Sequence, residues 1–146
     1  MVHALEEIHR LLIPNGTLID IHPVLKAPLI EVFQHGRVLS AEPNPEYTGE
    51  DYRQAEMALT QVIQRRLFVL ERSEEFDFLV YGSSFAELRD YVAEANAYEE
   101  TSNDEEAVRR EALLAARVEQ IMQTAGDGAE VATHERARIS RLRRIG

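Results

Sequence analysis

The stretch Ala4–Pro23, ALEEIHRLLIPNGTLIDIHP, decides the fold that we expect. It begins inside a helix predicted over 2–13, whose apolar residues recur at helical spacing: Leu5, Ile8, Leu11 and Leu12. Pro14, Asn15 and Gly16 end this helix, because proline disfavours helix in the residue before it and Asn and Gly tolerate positive φ. Residues 17–21 are largely apolar and β-branched, which predicts a strand buried on both faces of an α/β sheet, ended by His22 and Pro23.

Hydrophobic periodicity predicts alternating elements along the rest of the chain. We expect a hairpin over 28–43, a helix over 50–66 begun by Thr48 or Gly49, a one-sided strand over 68–80, helices over 84–98 and 104–122, and a last strand over 129–143. In the strand over 68–80, Phe68, Leu70, Phe76, Phe78 and Val80 would share one face. Ser83 or Ser84 can cap the next helix, with Glu87 as the capping-box partner of Ser84.

Composition indicates one globular domain over residues 1–146. The chain has 26 acidic and 16 basic residues, a net charge of −10 and no cysteine, so disulfides and thiolate chemistry are excluded. Without a signal peptide or an apolar span, a cytoplasmic protein that does not enter membranes is expected. The acidic total opposes nucleic-acid binding. Five C-terminal arginines would face solvent or pair with acidic residues within 99–106; they are Arg136, Arg138, Arg141, Arg143 and Arg144.

Few residues suggest a catalytic site. Asp20 and His22 end the predicted strand over 17–21, at the side of an α/β sheet where ligands bind, and they point to the same face. They are the catalytic candidates, as a carboxylate–imidazole pair; their alternative role is structural, in loop hydrogen bonds at the strand end. The five histidines lack metal-ligand spacing, so no metal site is expected. Phosphate-binding and nucleophile-elbow motifs are absent from the sequence.

The segment Ala4–Pro23 resembles the late segment of class I S-adenosylmethionine-dependent methyltransferases, where a helix ends in a pattern like "ei-R-LkPgG-l-i" before the fifth strand. Asn15 stands where the family usually has the first glycine of this pattern. The matching residues are Glu7, Ile8, Arg10, Leu12, Pro14, Gly16, Leu18 and Ile19. The resemblance implies the C-terminal half of a Rossmann-like fold with a mixed sheet, α/β or α+β. Residues 129–143 would then pair antiparallel between 17–21 and 68–80, with an inserted hairpin over 29–42.

The same resemblance implies that the cofactor-binding half is absent, since the family holds S-adenosylmethionine with residues that precede the matched segment. No cofactor-binding residue is therefore assigned, and activity of the chain alone is uncertain. The expected function is a methyltransferase-related domain that depends on a partner or oligomer, or a non-catalytic remnant. S-adenosylmethionine would bind only if a partner or oligomer completes the site. The alternative is a small α+β binding or oligomerisation module, which predicts that the last strand does not lie between the other two.

The missing half would leave residues 17–21 as an apolar sheet edge, which favours pairing with another strand. A homodimer or a complementary N-terminal half would cover this edge. A third possibility is a monomer in which the hairpin or the last strand folds over it.

Overall fold

The computed structural model describes residues 1–45, 47, 49–95 and 105–146. In these ranges the elements are α1 (Val2–Leu11), β1 (Thr17–Pro23), β2 (Leu29–Gln34), β3 (Arg37–Pro43), α2 (Glu50–Gln64), β4 (Phe68–Gly82), α3 (Phe85–Ala95), α4 (Glu105–Ala125) and β5 (Ala129–Arg144). None of these helices is both long and apolar enough to cross a bilayer.

The chain divides into two compact units. The first unit comprises Met1–Lys26, Thr48–Asp77 and Arg136–Gly146, and the second comprises Ala27–Tyr47 and Phe78–Glu135. The long strands β4 and β5 contribute residues to both units.

The strands belong to an open, five-stranded sheet in the order β1-β5-β2-β3, with β4 also paired to β5. β1 pairs antiparallel with residues 137–143 of β5, and β2 pairs antiparallel with residues 129–134 and with β3. The fold is therefore α+β, and the α/β alternative does not apply. The mixed sheet is also a wrong expectation, because neighbouring strands of determined register in the described ranges run antiparallel.

In the first unit, β5 lies between β1 and β4. The backbone N–H of Arg144, the last residue of β5, donates to Gly16 O at 2.8 Å. The N–H of the next residue, Ile145, points to the other side and donates to Leu67 O at 3.0 Å. Gly16 directly precedes β1 and Leu67 directly precedes β4. The expected pairing of the last strand with both 17–21 and 68–80 is confirmed.

Helices α1 and α2 pack on one face of the sheet in the first unit. Their apolar residues form a buried cluster with residues of β4 and β5: Leu5, Ala58, Leu59, Val62, Phe68 and Leu142. On β1, Leu18 packs against this cluster, whereas Ile19 and Ile21 are 52% and 59% exposed. Burial of this strand on both faces was the wrong prediction, because α1 and α2 cover only the face that carries Leu18.

The side chains of β4 change faces within the first unit. Glu71 bonds Arg143 at 2.7 Å, whereas Ser73 lies 3.1 Å from the hydroxyl of Ser140. Successive residues of β5 point to opposite faces, so Glu71 and Ser73 lie on opposite faces although they are two residues apart. Such a change of faces is what one extra residue, a β-bulge, produces in a strand. The predicted single apolar face over 68–80 is therefore wrong.

The second unit contains the β2-β3 hairpin and helices α3 and α4. His35 and Gly36 connect the two strands with φ values of 49° and 75°, which are typical of a two-residue type I′ turn. The predicted hairpin is confirmed. The helices and strands of this unit bury an apolar cluster: Ile30, Val32, Phe85, Leu88, Leu114, Val118 and Val131.

The start of α3 follows the predicted cap. The Ser84 hydroxyl accepts from the Glu87 amide at 3.1 Å, and the Glu87 carboxylate accepts from the Ser83 amide at 2.7 Å. Ser84 is thus the cap. In a capping box the Glu87 carboxylate would accept from the Ser84 amide, but here it accepts from the amide of Ser83, the residue before the cap. The predicted continuation of α3 to residue 98, the start of the next helix at 104 and the choice of Thr48 before α2 lie outside the described residues.

Apolar periodicity predicts Met57 on the buried stripe of α2, and Tyr91 and Val92 on that of α3, but all three side chains are exposed. On α2, Ala55 and Ala58 are buried. Small side chains allow a helix to approach a neighbour closely, and a pattern of large apolar residues does not reveal them.

Candidate functional site

The end of β1 brings the two catalytic candidates together. Asp20 Oδ2 lies 2.5 Å from His22 Nδ1, and both side chains lie on the face that α1 and α2 cover, because Leu18 shares their parity. His22 is 8% exposed. An ionised carboxylate only accepts hydrogen bonds, so Nδ1 carries the proton and the imidazole is held in one orientation.

Three residues that the sequence did not place at this site complete the cluster: Glu56, Glu75 and Arg138. Arg138 of β5 lies opposite His22 in the strand register and donates to Glu56 of α2. Arg138 also donates to Glu75 of β4 at 3.0 Å. Glu56 Oε1 is in turn 3.7 Å from His22 Nε2. The cluster thus links three strands and a helix within the first unit.

Electrostatics keep this guanidinium charged. The hydrogen bond to Glu75 raises the pKa of Arg138, desolvation by burial opposes this rise, and the nearby Glu56 carboxylate adds a further, smaller rise. Arg138 was expected to face solvent or to pair with residues within 99–106. Residues opposite each other in an antiparallel pair share a face, so the strand register would have placed Arg138 beside His22. The register itself depends on the tertiary structure and could not be derived from the sequence.

The other C-terminal arginines also pair within the first unit. Arg136 donates to Asp77 at 2.8 Å and 3.1 Å, and this hydrogen bond raises its pKa. Arg141 and Arg143 bond Glu71 from the other face of β5, and Arg144 donates to Leu12 O at the end of α1. Carboxylates of α2 and β4 therefore supply the acidic partners of the arginine side chains; residues 99–104 lie outside the described ranges.

A cavity of about 320 Å³ adjoins this cluster. His22, Glu56 and Arg138 line its polar end, together with the paired hydroxyls of Ser73 and Ser140. Its apolar wall is aliphatic and comes from α2, β4 and β5: Leu59, Ile63, Leu70 and Leu142. A mostly apolar cavity with a few convergent polar groups is the usual form of a small-molecule site.

The free nitrogen of His22 determines what this site can do chemically. Nε2 is buried and has no hydrogen-bond partner in the described part of the chain. With Nδ1 bonded to Asp20, Nε2 can accept a proton or a hydrogen bond from a bound molecule, and the carboxylate would stabilise the resulting imidazolium. The geometry expected of a carboxylate–imidazole pair is thus present, while its catalytic role stays a prediction.

The remaining histidines are dispersed. His134 lies 3.1 Å from Glu31 in the second unit, and His9 lies 3.2 Å from Ile145 O in the first. Among the residues that the structure describes, no three His, Asp or Glu side chains form a group suited to a metal ion.

Comparison with known proteins finds no match to a protein-family model, a curated protein or a solved structure.

Proposed function

We propose that this chain is the C-terminal half of a methyltransferase-like domain, and that a partner or a second copy completes the sheet and the cofactor site. The observation that carries the proposal is the position of β5, antiparallel to β1 and lying between β1 and β4. The resemblance of Ala4–Pro23 implies this strand arrangement, with the hairpin β2-β3 as the insertion.

The same arrangement argues against the alternative function. A small α+β module unrelated to methyltransferases gives no reason for the last strand to enter between two strands distant in sequence. Insertion between β1 and β4 costs loop-closure entropy, so local preferences alone do not account for it.

The outer edge of β1 supports a requirement for a partner. Among the described strands, β1 ends the strand order, and β5 occupies its other edge. Ile19 and Ile21 are exposed beside this edge, and Ile139, opposite Ile21, extends their apolar surface on β5. An unpaired edge with exposed apolar side chains is a template for strand addition. In the family, the fourth strand occupies the corresponding position.

Cofactor binding follows from this arrangement. In the family, the residues that hold S-adenosylmethionine precede the segment that Ala4–Pro23 resembles, and none of the described residues is assigned that role. The proposal therefore expects the isolated chain to bind S-adenosylmethionine only as an oligomer or with a complementary half.

Titration calorimetry with S-adenosylmethionine, combined with light scattering, tests this proposal. With the chain at about 100 μM, a monomer should give no saturable heat. This result would mean a Kd far above about 1 μM, the value that corresponds to a binding free energy of about −8 kcal/mol. S-adenosylhomocysteine is the product control. Saturable binding by a 16.6 kDa monomer would contradict the dependence on a partner.

An edge variant makes the test specific to β1. Ile19→Lys places a charge beside the proposed pairing edge and should abolish any dimer together with any cofactor binding that the dimer supports. Leu39→Lys is the matched control, because Leu39 is 46% exposed on β3 at the other end of the strand order. A dimer that only Leu39→Lys dissociates would place the interface elsewhere and overturn the role of β1.

A further inference from the structure

We infer that the cavity beside His22 binds a small primary ammonium ion with an unbranched apolar tail. This site lies within the first unit and needs neither S-adenosylmethionine nor a second polypeptide chain. It therefore goes beyond the proposed function, and the two proposals can fail independently.

The first argument is the unpartnered nitrogen. His22 is more than nine-tenths buried and its Nε2 atom makes no hydrogen bond within the described residues. In the neutral imidazole that donates from Nδ1 to Asp20, Nε2 presents a lone pair. A buried acceptor without a partner is costly, and a ligand that donates a hydrogen bond removes this cost.

The second argument is the balance of charges and hydrogen-bonding groups around Nε2. Arg138 already donates to Glu56 and Glu75, and the hydroxyls of Ser73 and Ser140 lie within hydrogen-bond distance of each other. With Asp20 the cluster holds three carboxylates and one guanidinium, and beside it Arg136, 4.0 Å from Glu75, is bonded to a fourth carboxylate, Asp77. Acceptors and negative charge are in excess, which favours a cationic donor over an anion or a neutral acceptor.

The distances fit an ammonium group. Glu56 Oε1 lies 3.7 Å from His22 Nε2, and both residues line the cavity. A nitrogen placed between them would reach both acceptors at ordinary hydrogen-bond lengths, and a primary ammonium has three N–H groups to share. Nε2 is shielded from water, so a ligand nitrogen reaches it with a small outward shift of the Glu56 carboxylate, which then remains its second acceptor. The Glu56 side chain is 30% exposed on the surface of α2, which permits this movement.

The apolar wall defines the rest of the ligand. Leu59, Ile63, Leu70 and Leu142 form one side of a cavity of about 320 Å³, at the small end of ligand sites. An unbranched alkyl chain can lie along these four side chains while its ammonium group meets the polar end. Leu70 is 45% exposed and lies at the opening, whereas Leu142 is buried.

Nuclear magnetic resonance of the histidine ring nitrogens tests this inference on the full chain. n-Hexylamine is titrated against n-hexanol and sodium hexanoate, which share its apolar tail. We expect saturable shifts of the His22 Nε2 signal with n-hexylamine, and an affinity at least about tenfold higher than that of either comparison compound. The absence of a saturable shift, or equal binding of n-hexanol, would overturn the proposal.

Two variants separate this site from nonspecific attraction to an acidic chain. Glu56→Gln should weaken n-hexylamine binding about tenfold, since it removes a charge at the polar end. Glu71→Gln is the control, because Glu71 also bonds arginines but lies on the other face of β4. Equal losses in the two variants would contradict a localised site.

The free chain provides one more decisive measurement. If the nitrogen signals show His22 protonated on both nitrogens at neutral pH, Nε2 is a donor to Glu56 and the inference is wrong. Ser73→Leu, which fills the cavity from β4, should abolish n-hexylamine shifts while the signals of the second unit stay unchanged. Persistent binding to this variant would place the amine elsewhere.

Discussion

The two units of the chain differ in the side chains that lie between their helices and strands. In the second unit, α3 and α4 meet β2 and β5 through a cluster of apolar side chains. In the first unit, α2 meets the sheet through apolar residues at one end and through His22, Glu56 and Arg138 at the other, with a cavity between them. Polar groups in such a layer contribute less to stability than the apolar residues that could replace them. This difference is the reason for placing the candidate site in the first unit.

Ion pairs show the same contrast. Arg138 is 32% exposed and shared between Glu56 and Glu75, whereas Arg117 of the second unit is 51% exposed and bonds one carboxylate, Glu42, among the described residues. The hydrogen bond with Glu42 raises the pKa of Arg117, so both guanidinium groups remain charged. Their surroundings differ, because loss of Arg138 would leave carboxylates facing one another beside a buried imidazole.

The largest expected effect concerns the apolar end of the first unit. Phe68 is 1% exposed and its ring meets the ring of His9 edge-on at 5.4 Å. Phe68→Ala should lower the free energy of unfolding by about 3–5 kcal/mol, because it removes a buried aromatic side chain and leaves a cavity. Urea unfolding measures this loss. Leu70→Ala, two residues further on the same strand, should cost about 1 kcal/mol, as Leu70 is already half exposed. Similar losses would contradict the assignment of the core to the Phe68 end.

The next effect concerns the polar end. Arg138→Met should cost about 1–3 kcal/mol, since Glu56 and Glu75 lose their shared donor. The matched change Arg117→Met in the second unit should cost clearly less, as exposed ion pairs contribute little.

A double variant tests the cause of the Arg138 effect. Arg138→Met with Glu56→Gln should recover part of the loss, because one of the unpaired charges is removed. An Arg117→Met loss as large as that of Arg138→Met would remove the contrast between the two clusters.

A smaller effect is expected at the start of α3 in the second unit. Ser84→Ala should cost about 1 kcal/mol, because the Glu87 amide loses the hydroxyl that caps the helix. Ser84→Gly is the control and should cost a few tenths of a kcal/mol, as glycine is tolerated at this position. Thermal and urea unfolding of both variants provide the comparison. Equal losses would mean that the hydroxyl does not act as a cap.

The smallest expected effect concerns the pKa of two glutamates, one with a neutral hydrogen-bond partner and one with a charged partner. Hydrogen bonds from the Ser83 hydroxyl and then its amide lower the pKa of Glu87 from its ordinary 4.5, whereas the Arg65 guanidinium mainly lowers that of Glu6 in the first unit. Each carboxylate therefore stabilises the fold above its unfolded pKa, and this contribution is lost as pH falls through the lower folded value. Carbon NMR titration should show that added salt weakens the Glu6 shift and leaves the Glu87 shift nearly unchanged. Ser83→Ala should raise the pKa of Glu87 only, and an equal salt response of the two groups would contradict this assignment.

Much of the element order could be predicted because it depends on local patterns. The helix over 2–13, the turn at Pro14–Gly16 and the hairpin closed by His35 and Gly36 follow from periodicity and turn chemistry. The pairing of the last strand was also predicted, through the resemblance of Ala4–Pro23. Side-chain orientation was predicted less well, since the change of faces between Glu71 and Ser73 breaks the alternation of β4 without a sequence signal.

The candidate site was predictable only in its local part. Asp20 and His22 share a face because they are two residues apart in a strand, and their contact at 2.5 Å follows from that spacing. Glu56 comes from a helix 34 positions later in the chain and Arg138 from the last strand, so no spacing in the sequence relates them to His22.

The sequence by itself determined the helices, the turns and the pairing of Asp20 with His22, because each depends on residues a few positions apart. Only the tertiary structure decided which faces are buried and which groups meet His22. Register and helix packing join residues that are far apart in the chain, and the free energy of those contacts depends on burial that no local pattern contains.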